Sequence, residues 1–326
     1  MQICGLFFFY RNKLIMQEKQ IIAIHNNDSL LTIKWRLTTW CNYRCSYCIQ
    51  SWGEKEKKTD FSHLLDTAKE VNRLIESAPR PVKLYLLGGE VTWYDLEKLV
   101  SEISSKNLAK IAITTNFSNS SDYYISFAKY LRSRNVDLGL CCSLHREYVN
   151  PGEYVKKVAF VKKATGLDTI KVEFVVSPQT EAFADEIRRV CEEENVDYRF
   201  DYDKFQDDAY RSQGKNITKT AHSRYTIIFD DGSRDTTLSQ NQLLNYGNGQ
   251  TKDSKFNTED FYCTRGMSYV YINVDMASDH NICMPKESYL PISEYKIKTE
   301  PQLCHKKYCS LCGDISLARC KEDIDF

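Results

Sequence analysis

The segment that decides the fold is CNYRCSYC, residues 41–48, which places Cys41, Cys45 and Cys48 in a CxxxCxxC loop. It directly follows a strand-like run from Leu31 to Leu37. A closed four-iron cluster takes four cysteine thiolates, so a loop with three cysteines leaves one iron open to another ligand. Structural zinc is the alternative, although closed zinc sites use four ligands in paired knuckles. The spacing therefore favours an iron-sulfur loop with an open iron.

An aromatic residue, Tyr47, stands just before the last cysteine, and with it the loop resembles the hallmark of the radical S-adenosylmethionine (radical SAM) superfamily. The resemblance implies that the amino and carboxylate groups of SAM chelate the open iron. It also implies reductive cleavage of SAM to methionine and a 5'-deoxyadenosyl radical, which abstracts a hydrogen atom from the substrate. An electron donor such as flavodoxin or ferredoxin is then an expected partner.

Composition narrows the class of protein. Lysine and arginine together equal aspartate and glutamate at 44 each, which argues against a general nucleic-acid or membrane-surface binder. Thirteen cysteines in 326 residues, without a secretory signal, favour metal binding in a reducing compartment, and we expect the cytoplasm. The apolar run Ile3–Tyr10 precedes its basic residues, the reverse of a secretory signal, and Met16 is an alternative start.

Short apolar runs alternate with longer segments of helical period, which is typical of an α/β protein with a parallel sheet. The predicted strands are Thr32–Thr38, Val82–Leu87, Lys110–Thr115, Val136–Cys142, Ile170–Val176 and Val196–Asp201. The predicted helices are Asp60–Ser77, Tyr94–Ser105, Ser121–Arg134, Pro151–Ala164 and Thr180–Glu194. By the radical SAM resemblance, these six strands form a partial (β/α)6 TIM-like barrel.

Alternation along the strands predicts which side chains face the barrel interior. If Leu138 and Leu140 face the outer helices, the opposite side carries polar residues, since buried charges in a dry core would be costly. The side chains expected inside are Thr114, Asn116, Asp137, Cys141, Ser143, Lys171, Glu173, Arg199 and Asp201. A ligand-filled or wet interior accounts for them, and amphipathic edge strands facing solvent are the alternative.

The cofactor contacts are expected at the carboxyl ends of the strands, where ligands collect in parallel sheets. Gly88, Gly89 and Glu90 form a GGE run after the second strand, which in the radical SAM family contacts the SAM amino group. Val91 stands where the family commonly has proline. Further SAM contacts implied by position in the resemblance are Thr115, Asn116 and Ser143; turn or helix-cap roles are the alternative.

A second group of cysteines follows in the last third of the chain. This region resembles the SPASM and twitch extensions of radical SAM enzymes, which hold auxiliary 4Fe-4S clusters. The resemblance implies one auxiliary cluster on Cys263, Cys283, Cys309 and Cys312, with Cys304 the first substitute and Cys320 another. Zinc would suit four thiolates with a CxxC knuckle equally well.

The sequence thus predicts residues 1–30 as a leader with a possible short hairpin, 31–220 as the partial barrel, and 221–326 as a small cysteine-rich α+β auxiliary domain. By analogy with enzymes that carry such extensions, the expected substrate is a ribosomally made peptide or a protein side chain, for crosslinking, epimerisation or oxidation. Dehydrogenation of a small molecule such as a sugar alcohol is the second hypothesis. The third is a non-enzymatic iron-sulfur or zinc protein for electron transfer or binding.

Overall fold

A computed structural model describes residues 19–48, 57–176, 180–202, 218–219, 225–237, 251–252, 255–279, 283–309 and 316–324. The strands in these ranges are β1 (Ile21–Asn26), β2 (Leu31–Thr38), β3 (Val82–Gly88), β4 (Leu108–Thr115), β5 (Asp137–Leu144), β6 (Ile170–Val176), β7 (Asp197–Tyr202), β8 (Thr218–Lys219), β9 (Tyr225–Phe229), β10 (Arg234–Thr237), β11 (Thr251–Lys252), β12 (Lys255–Asn257), β13 (Tyr262–Cys263), β14 (Tyr269–Asn273), β15 (Met276–Ser278), β16 (Leu290–Pro291), β17 (Gln302–Leu303), β18 (Tyr308–Cys309) and β19 (Leu317–Ala318). The α-helices are α1 (Phe61–Glu76), α2 (Leu96–Ser101), α3 (Ser121–Ser133), α4 (Pro151–Thr165) and α5 (Glu181–Glu193), and short 3-10 turns cover Val91–Trp93, Lys286–Ser288 and Lys321–Asp323.

The six predicted strands are confirmed as β2 to β7, which lie side by side in chain order and pair in parallel. One helix connects each strand to the next, from α1 after β2 to α5 after β6. The α/β class with a parallel sheet is therefore confirmed. The closure of this sheet into a partial barrel stays a prediction.

Helix boundaries follow local capping chemistry. The Asn150 side chain accepts a hydrogen bond from the Glu153 N–H at 3.1 Å, Pro151 occupies the first turn as predicted, and Gly166 ends α4 in the left-handed conformation at φ 67°. Helix α2 is shorter than the predicted Tyr94–Ser105, and that boundary was wrong. It begins late because the Asp95 side chain caps the Lys98 N–H at 3.0 Å.

The sheet has two faces of different chemistry. The face toward the helices is apolar, and Ile33, Leu84, Leu140 and Val172 on it are almost fully buried. The opposite face, which we call the inner face, carries the alternate residues of β2 to β7 and of β14. Polar side chains on this face are therefore positioned together by the pleat of neighbouring strands.

A seventh parallel strand reaches this sheet from the C-terminal region. Strand β14 pairs in parallel with β2, with Tyr271 opposite Lys34, and continues into the antiparallel strands β15 and β16. The sequence assigns this part of the chain to a separate auxiliary domain, residues 221–326. In the structure this part of the extension completes the sheet beside the strand that leads into the cysteine loop.

The N-terminal strand also joins the C-terminal region. Strand β1 lies between β9 and β19 in a sheet with the order β10-β9-β1-β19-β13-β17. The predicted boundaries near residues 30 and 220, and the cysteine-rich domain as a separate unit, stay predictions. Among the residues that the structure describes, there is no helix with both the length and the apolar character needed to cross a bilayer.

Candidate active site

The cysteine loop leaves the carboxyl end of β2. Cys41 and Cys45 are buried, Cys48 is half-buried, and the Cys48 N–H donates to the Cys45 carbonyl at 3.1 Å in a tight turn. Burial, together with the neighbouring Cys48 and Cys41 thiols, raises the pKa of Cys45 to about 12. Three adjacent thiols in such a place become thiolates when a cation compensates their charge, as iron does.

The sulfur of Cys41 lies among hydrogen-bond donors. The Tyr43 N–H approaches it at 3.4 Å and the Asn116 side-chain amide at 3.8 Å. Hydrogen bonds to a cysteine sulfur stabilise the thiolate and tune the potential of a bound iron-sulfur cluster. The donor set, three loop cysteines with donors around one sulfur, suits such a cluster. Among the described residues, no group of three or more His, Cys, Asp or Glu side chains is arranged to hold one metal ion.

The GGE run packs directly against the start of the cysteine loop. The Gly89 N–H donates to the Thr38 carbonyl at 3.0 Å, and the Glu90 N–H donates to the Trp40 carbonyl at 2.9 Å. A Cβ at Gly89 would overlap the Trp40 carbonyl, and one at Gly88 would overlap the Thr38 carbonyl. Glycine is therefore required here so that the two hallmark segments can approach each other, a role that the sequence interpretation did not give them. Their contact with SAM stays a prediction.

The Glu90 carboxylate is fully buried and organises the neighbouring strand end. It accepts hydrogen bonds from the Thr92 N–H at 3.1 Å, the Thr92 hydroxyl at 2.7 Å, the Thr115 hydroxyl at 2.8 Å and the Asn116 N–H at 2.6 Å. Burial raises the pKa of Glu90, and these hydrogen bonds oppose the rise. Four donors indicate that the carboxylate fixes the turn that carries Thr115 and Asn116.

Asn116 connects that turn to the cysteine loop. Its side-chain amide donates to the Asn42 side-chain carbonyl oxygen at 2.7 Å, and the Asn42 side-chain amide nitrogen donates to the Ser118 hydroxyl at 3.2 Å. The structure thus brings the predicted residues Glu90, Thr115 and Asn116 together beside Cys41. Ser143 lies on the inner face of β5, and no described contact joins it to the loop.

His145, which follows β5, contacts the loop from the other side. Its Nδ1 lies 3.3 Å from the Cys45 sulfur and 2.8 Å from the Tyr47 hydroxyl. Burial lowers the pKa of His145 to about 4, so the imidazole is neutral at neutral pH. His145 therefore lies against two residues of the cysteine loop as a neutral imidazole.

Glu147 and Tyr148 hold the loop backbone, and sequence reasoning missed both. The Glu147 carboxylate accepts from the Ser46 N–H at 3.1 Å and from the Ser46 hydroxyl. The Tyr148 hydroxyl accepts from the Arg44 N–H at 2.7 Å, and its ring stacks on Tyr43 with centroids 4.1 Å apart. The available signal was their position just beyond a strand end on the ligand side of the sheet.

The second cysteine group is only partly described. Cys263 and Cys304 share a hydrogen bond, which raises the pKa of Cys263 and lowers that of Cys304, and Cys283 lies close enough to Cys304 to act on its pKa. For Cys309 only the backbone is described, opposite residue 256 in strand β12. Cys312 lies outside the described residues, and Cys320 is exposed. Cys304 thus lies beside Cys263, and the auxiliary ligand set Cys263, Cys283, Cys309 and Cys312 stays a prediction.

The inner face beyond the loop carries a connected polar group. The Lys171 ammonium lies 2.9 Å and the Arg199 guanidinium 3.8 Å from the Glu173 carboxylate. The Cys141 thiol hydrogen-bonds Glu173 and also Tyr85. The side chains of Lys171, Glu173 and Arg199 are 20–36% exposed, so this charged group keeps access to solvent. The predicted inward orientation of Cys141, Lys171, Glu173 and Arg199 agrees with these contacts, while the side chain of Asp201 lies outside the described residues.

A three-cysteine loop at the carboxyl end of a parallel sheet, packed against a GGE turn, is thus the candidate site for an iron-sulfur cluster. Residues 35–140, about a third of the chain, match the family model of the radical SAM superfamily. Over 178 residues the chain is 24% identical to an S-adenosylmethionine-dependent nucleotide dehydratase of Psychrobacter lutiphocae. This match spans 47% of the chain and 60% of that protein.

Two solved structures match most of the chain at low sequence identity. The anSMEcpe structure with bound AdoMet has a TM-score of 0.50 at 14% identity, covering 82% of this chain and 76% of that one. The SuiB structure from Streptococcus suis bound to S-adenosylmethionine has a TM-score of 0.49 at 15% identity, covering 82% of this chain and 64% of that one. At such identities the first likeness concerns the fold alone.

Proposed function

We propose that this protein cleaves SAM reductively and abstracts a hydrogen atom from a substrate bound on the inner face of its sheet. The observation that carries the proposal is the cysteine loop itself, fastened on one side by the GGE turn and on the other by Glu147 and Tyr148. When bound, a 4Fe-4S cluster with one open iron supplies the electron and the coordination position for SAM.

The residues of the chain would bind, orient and shield the cofactor. Gly88, Gly89, Glu90, Thr115, Asn116 and Ser143 are the proposed SAM contacts. Since the Glu90 carboxylate already accepts four hydrogen bonds, we assign its side chain to positioning the Asn116 turn. Its burial keeps water from competing for those donors, which holds the turn in a single geometry.

The inner face offers the substrate a wet, polar surface rather than an apolar one. A peptide or protein side chain remains the proposed substrate by analogy with enzymes that carry cysteine-rich extensions. A nucleotide is the second candidate, and the similarity to an S-adenosylmethionine-dependent nucleotide dehydratase favours it. A sugar alcohol or a similar small molecule is the third candidate.

The second cysteine group is proposed to hold an auxiliary 4Fe-4S cluster, with zinc as the alternative. The proposed ligands are Cys263, Cys283, Cys309 and Cys312, and the contact of Cys304 with Cys263 supports an exchange of one of them for Cys304. A small electron-transfer protein such as flavodoxin or ferredoxin is the proposed reductant, and the cytoplasm the proposed location.

Anaerobic reconstitution followed by dithionite and SAM tests the enzymatic proposal. We expect 5'-deoxyadenosine and methionine from the wild type, none from Cys45→Ala, and wild-type amounts from Cys191→Ala, a buried cysteine outside both groups. A wild type that binds iron yet yields no 5'-deoxyadenosine would support the non-enzymatic alternative.

Metal analysis of the same samples tests the auxiliary proposal. About eight irons per chain would support two cubane clusters, and about four irons with one zinc would support a zinc site in the second group. Adding a nucleoside triphosphate in one assay and a candidate precursor peptide in another separates the two substrate candidates by which one increases 5'-deoxyadenosine formation.

A further inference from the structure

Strand β2 presents two cationic side chains to the inner face. Ile33, Trp35 and Leu37 alternate with them and are fully buried on the helix side. Lys34 and Arg36 therefore lie on the inner face, and both are half-buried. Arg36 stands five residues before Cys41, so the chain between them spans at most about 17 Å.

The C-terminal strand β14 places tyrosines beside these cations. The Lys34 ammonium lies 5.0 Å from the centroid of the Tyr269 ring and 5.6 Å from that of the Tyr85 ring. The Tyr271 phenol forms a hydrogen bond with the Arg36 guanidinium. The side chains of Tyr269 and Tyr271 are only 2% and 6% exposed, so both are buried next to β2.

Several cationic side chains of the inner face form ion pairs with carboxylates. Glu173 is paired with Lys171 and Arg199, and at the other end of the strands Lys83 is paired with Asp28. None of the ion pairs between described residues includes Arg36. A half-buried guanidinium has five N–H donors and is stabilised by an anion more than by one phenol oxygen.

We infer that Arg36 and Lys34, with the tyrosines of β14, bind an anionic group of the substrate, a phosphate or a carboxylate. The inference rests on the proposed function, because it places the substrate on the inner face near the cysteine loop. A planar guanidinium matches the oxygens of either group through two parallel hydrogen bonds, and a neighbouring ammonium adds a point charge. A substrate held this way lies on the face and at the strand ends where the cysteine loop begins.

Binding of simple anions to the full-length reconstituted protein tests the inference without turnover. Titration calorimetry with inorganic pyrophosphate represents the phosphate source, and titration with citrate represents the carboxylate source. We expect saturable binding of one probe to the wild type, weakened at least about tenfold in Arg36→Gln and less in Lys34→Gln. Arg36→Lys keeps the charge but loses the planar guanidinium with its two parallel donors. Its affinity for the probe should lie between those of the wild type and Arg36→Gln.

Two control variants separate loss of the anion site from a general loss of charge or of folding. Lys129→Gln removes an exposed lysine on α3 and should bind the probe as the wild type does. Tyr271→Phe keeps the ring and removes the phenol oxygen, so a small loss is expected even if Arg36→Gln folds poorly. Equal probe binding by wild type, Arg36→Gln and Arg36→Lys, or no binding of either probe to the wild type, would overturn the inference.

Formation of 5'-deoxyadenosine without substrate separates this inference from the proposed function. Lys129→Gln, which lies outside the proposed site, should cleave SAM in the absence of substrate at the wild-type rate. A matching loss of SAM cleavage in Arg36→Gln would assign Arg36 to SAM and refute the substrate site. If the wild type itself makes no 5'-deoxyadenosine, the proposed function fails, whereas the anion titration still reports on Arg36.

Discussion

Replacing Glu173 by glutamine should destabilise the protein in a pH-dependent way. Burial alone would raise the pKa of Glu173, but the charges of Lys171 and Arg199 lower it from 4.5 to about 2. One pKa unit corresponds to about 1.4 kcal/mol, so this lowering favours the folded state by about 3 kcal/mol at neutral pH. Because the folded-state pKa is lowered, this contribution is complete above pH 4.5 and is lost as the pH falls toward 2.

Urea denaturation of wild type and Glu173→Gln under anaerobic conditions at several pH values measures the effect. We expect the free energy of unfolding to fall by about 3 kcal/mol at pH 7, with the difference shrinking below pH 4.5. The matched control is Glu193→Gln, because Glu193 pairs with Arg189 at the shorter distance of 2.6 Å but both side chains are more than half exposed. That exposed pair should contribute below about 0.5 kcal/mol. Equal losses in the two variants, or a loss in Glu173→Gln that does not depend on pH, would refute the reasoning.

Three further variants test the cysteine-loop contacts. Gly89→Ala should prevent close packing against the Trp40 carbonyl, and the iron content after reconstitution should drop well below that of the wild type; full iron loading would contradict this role. Glu90→Gln should lower the free energy of unfolding by about 1–3 kcal/mol, because one amide hydrogen would face the Asn116 N–H; an unchanged urea midpoint would argue against it. Glu147→Gln should leave the fold intact but weaken the charge-assisted contact with the Ser46 N–H, which is worth about 1–2 kcal/mol. The cluster absorbance should then bleach faster when chelator is added. Bleaching at the wild-type rate would count against this role of Glu147.

The parallel sheet was predictable because its signals are local. An apolar run such as Ile170–Val176 is flanked by amphipathic segments, and the strand forms where the periodicity places it. The CxxxCxxC spacing and the GGE run likewise identify chemistry within a few residues each. Inward orientation of Lys171 and Glu173 followed from strand alternation alone, since a side-chain period of two leaves one alternative only.

The contacts that tie distant segments together could not be read from local patterns. Strand β14 pairs with β2 across more than 200 residues of chain, and the sequence of β14 alone does not indicate which strand it pairs with. Glu147 reaches Ser46 because β5 ends beside the loop, which is a property of strand order and not of the residues near Glu147. Glycines such as Gly89 signalled a close approach, but whether a ligand or the backbone fills the space depends on tertiary packing.

The central claim is that a loop with three cysteine ligands leaves one iron for SAM. Electron nuclear double resonance on the anaerobically reduced protein, with SAM carrying nitrogen-15 in its amino group, tests it most directly. We expect a nitrogen-15 coupling to the cluster in the wild type, and we expect this coupling to disappear when unlabelled SAM replaces the labelled SAM. A reduced cluster whose spectrum shows no such coupling, and does not change when SAM is added, would contradict it.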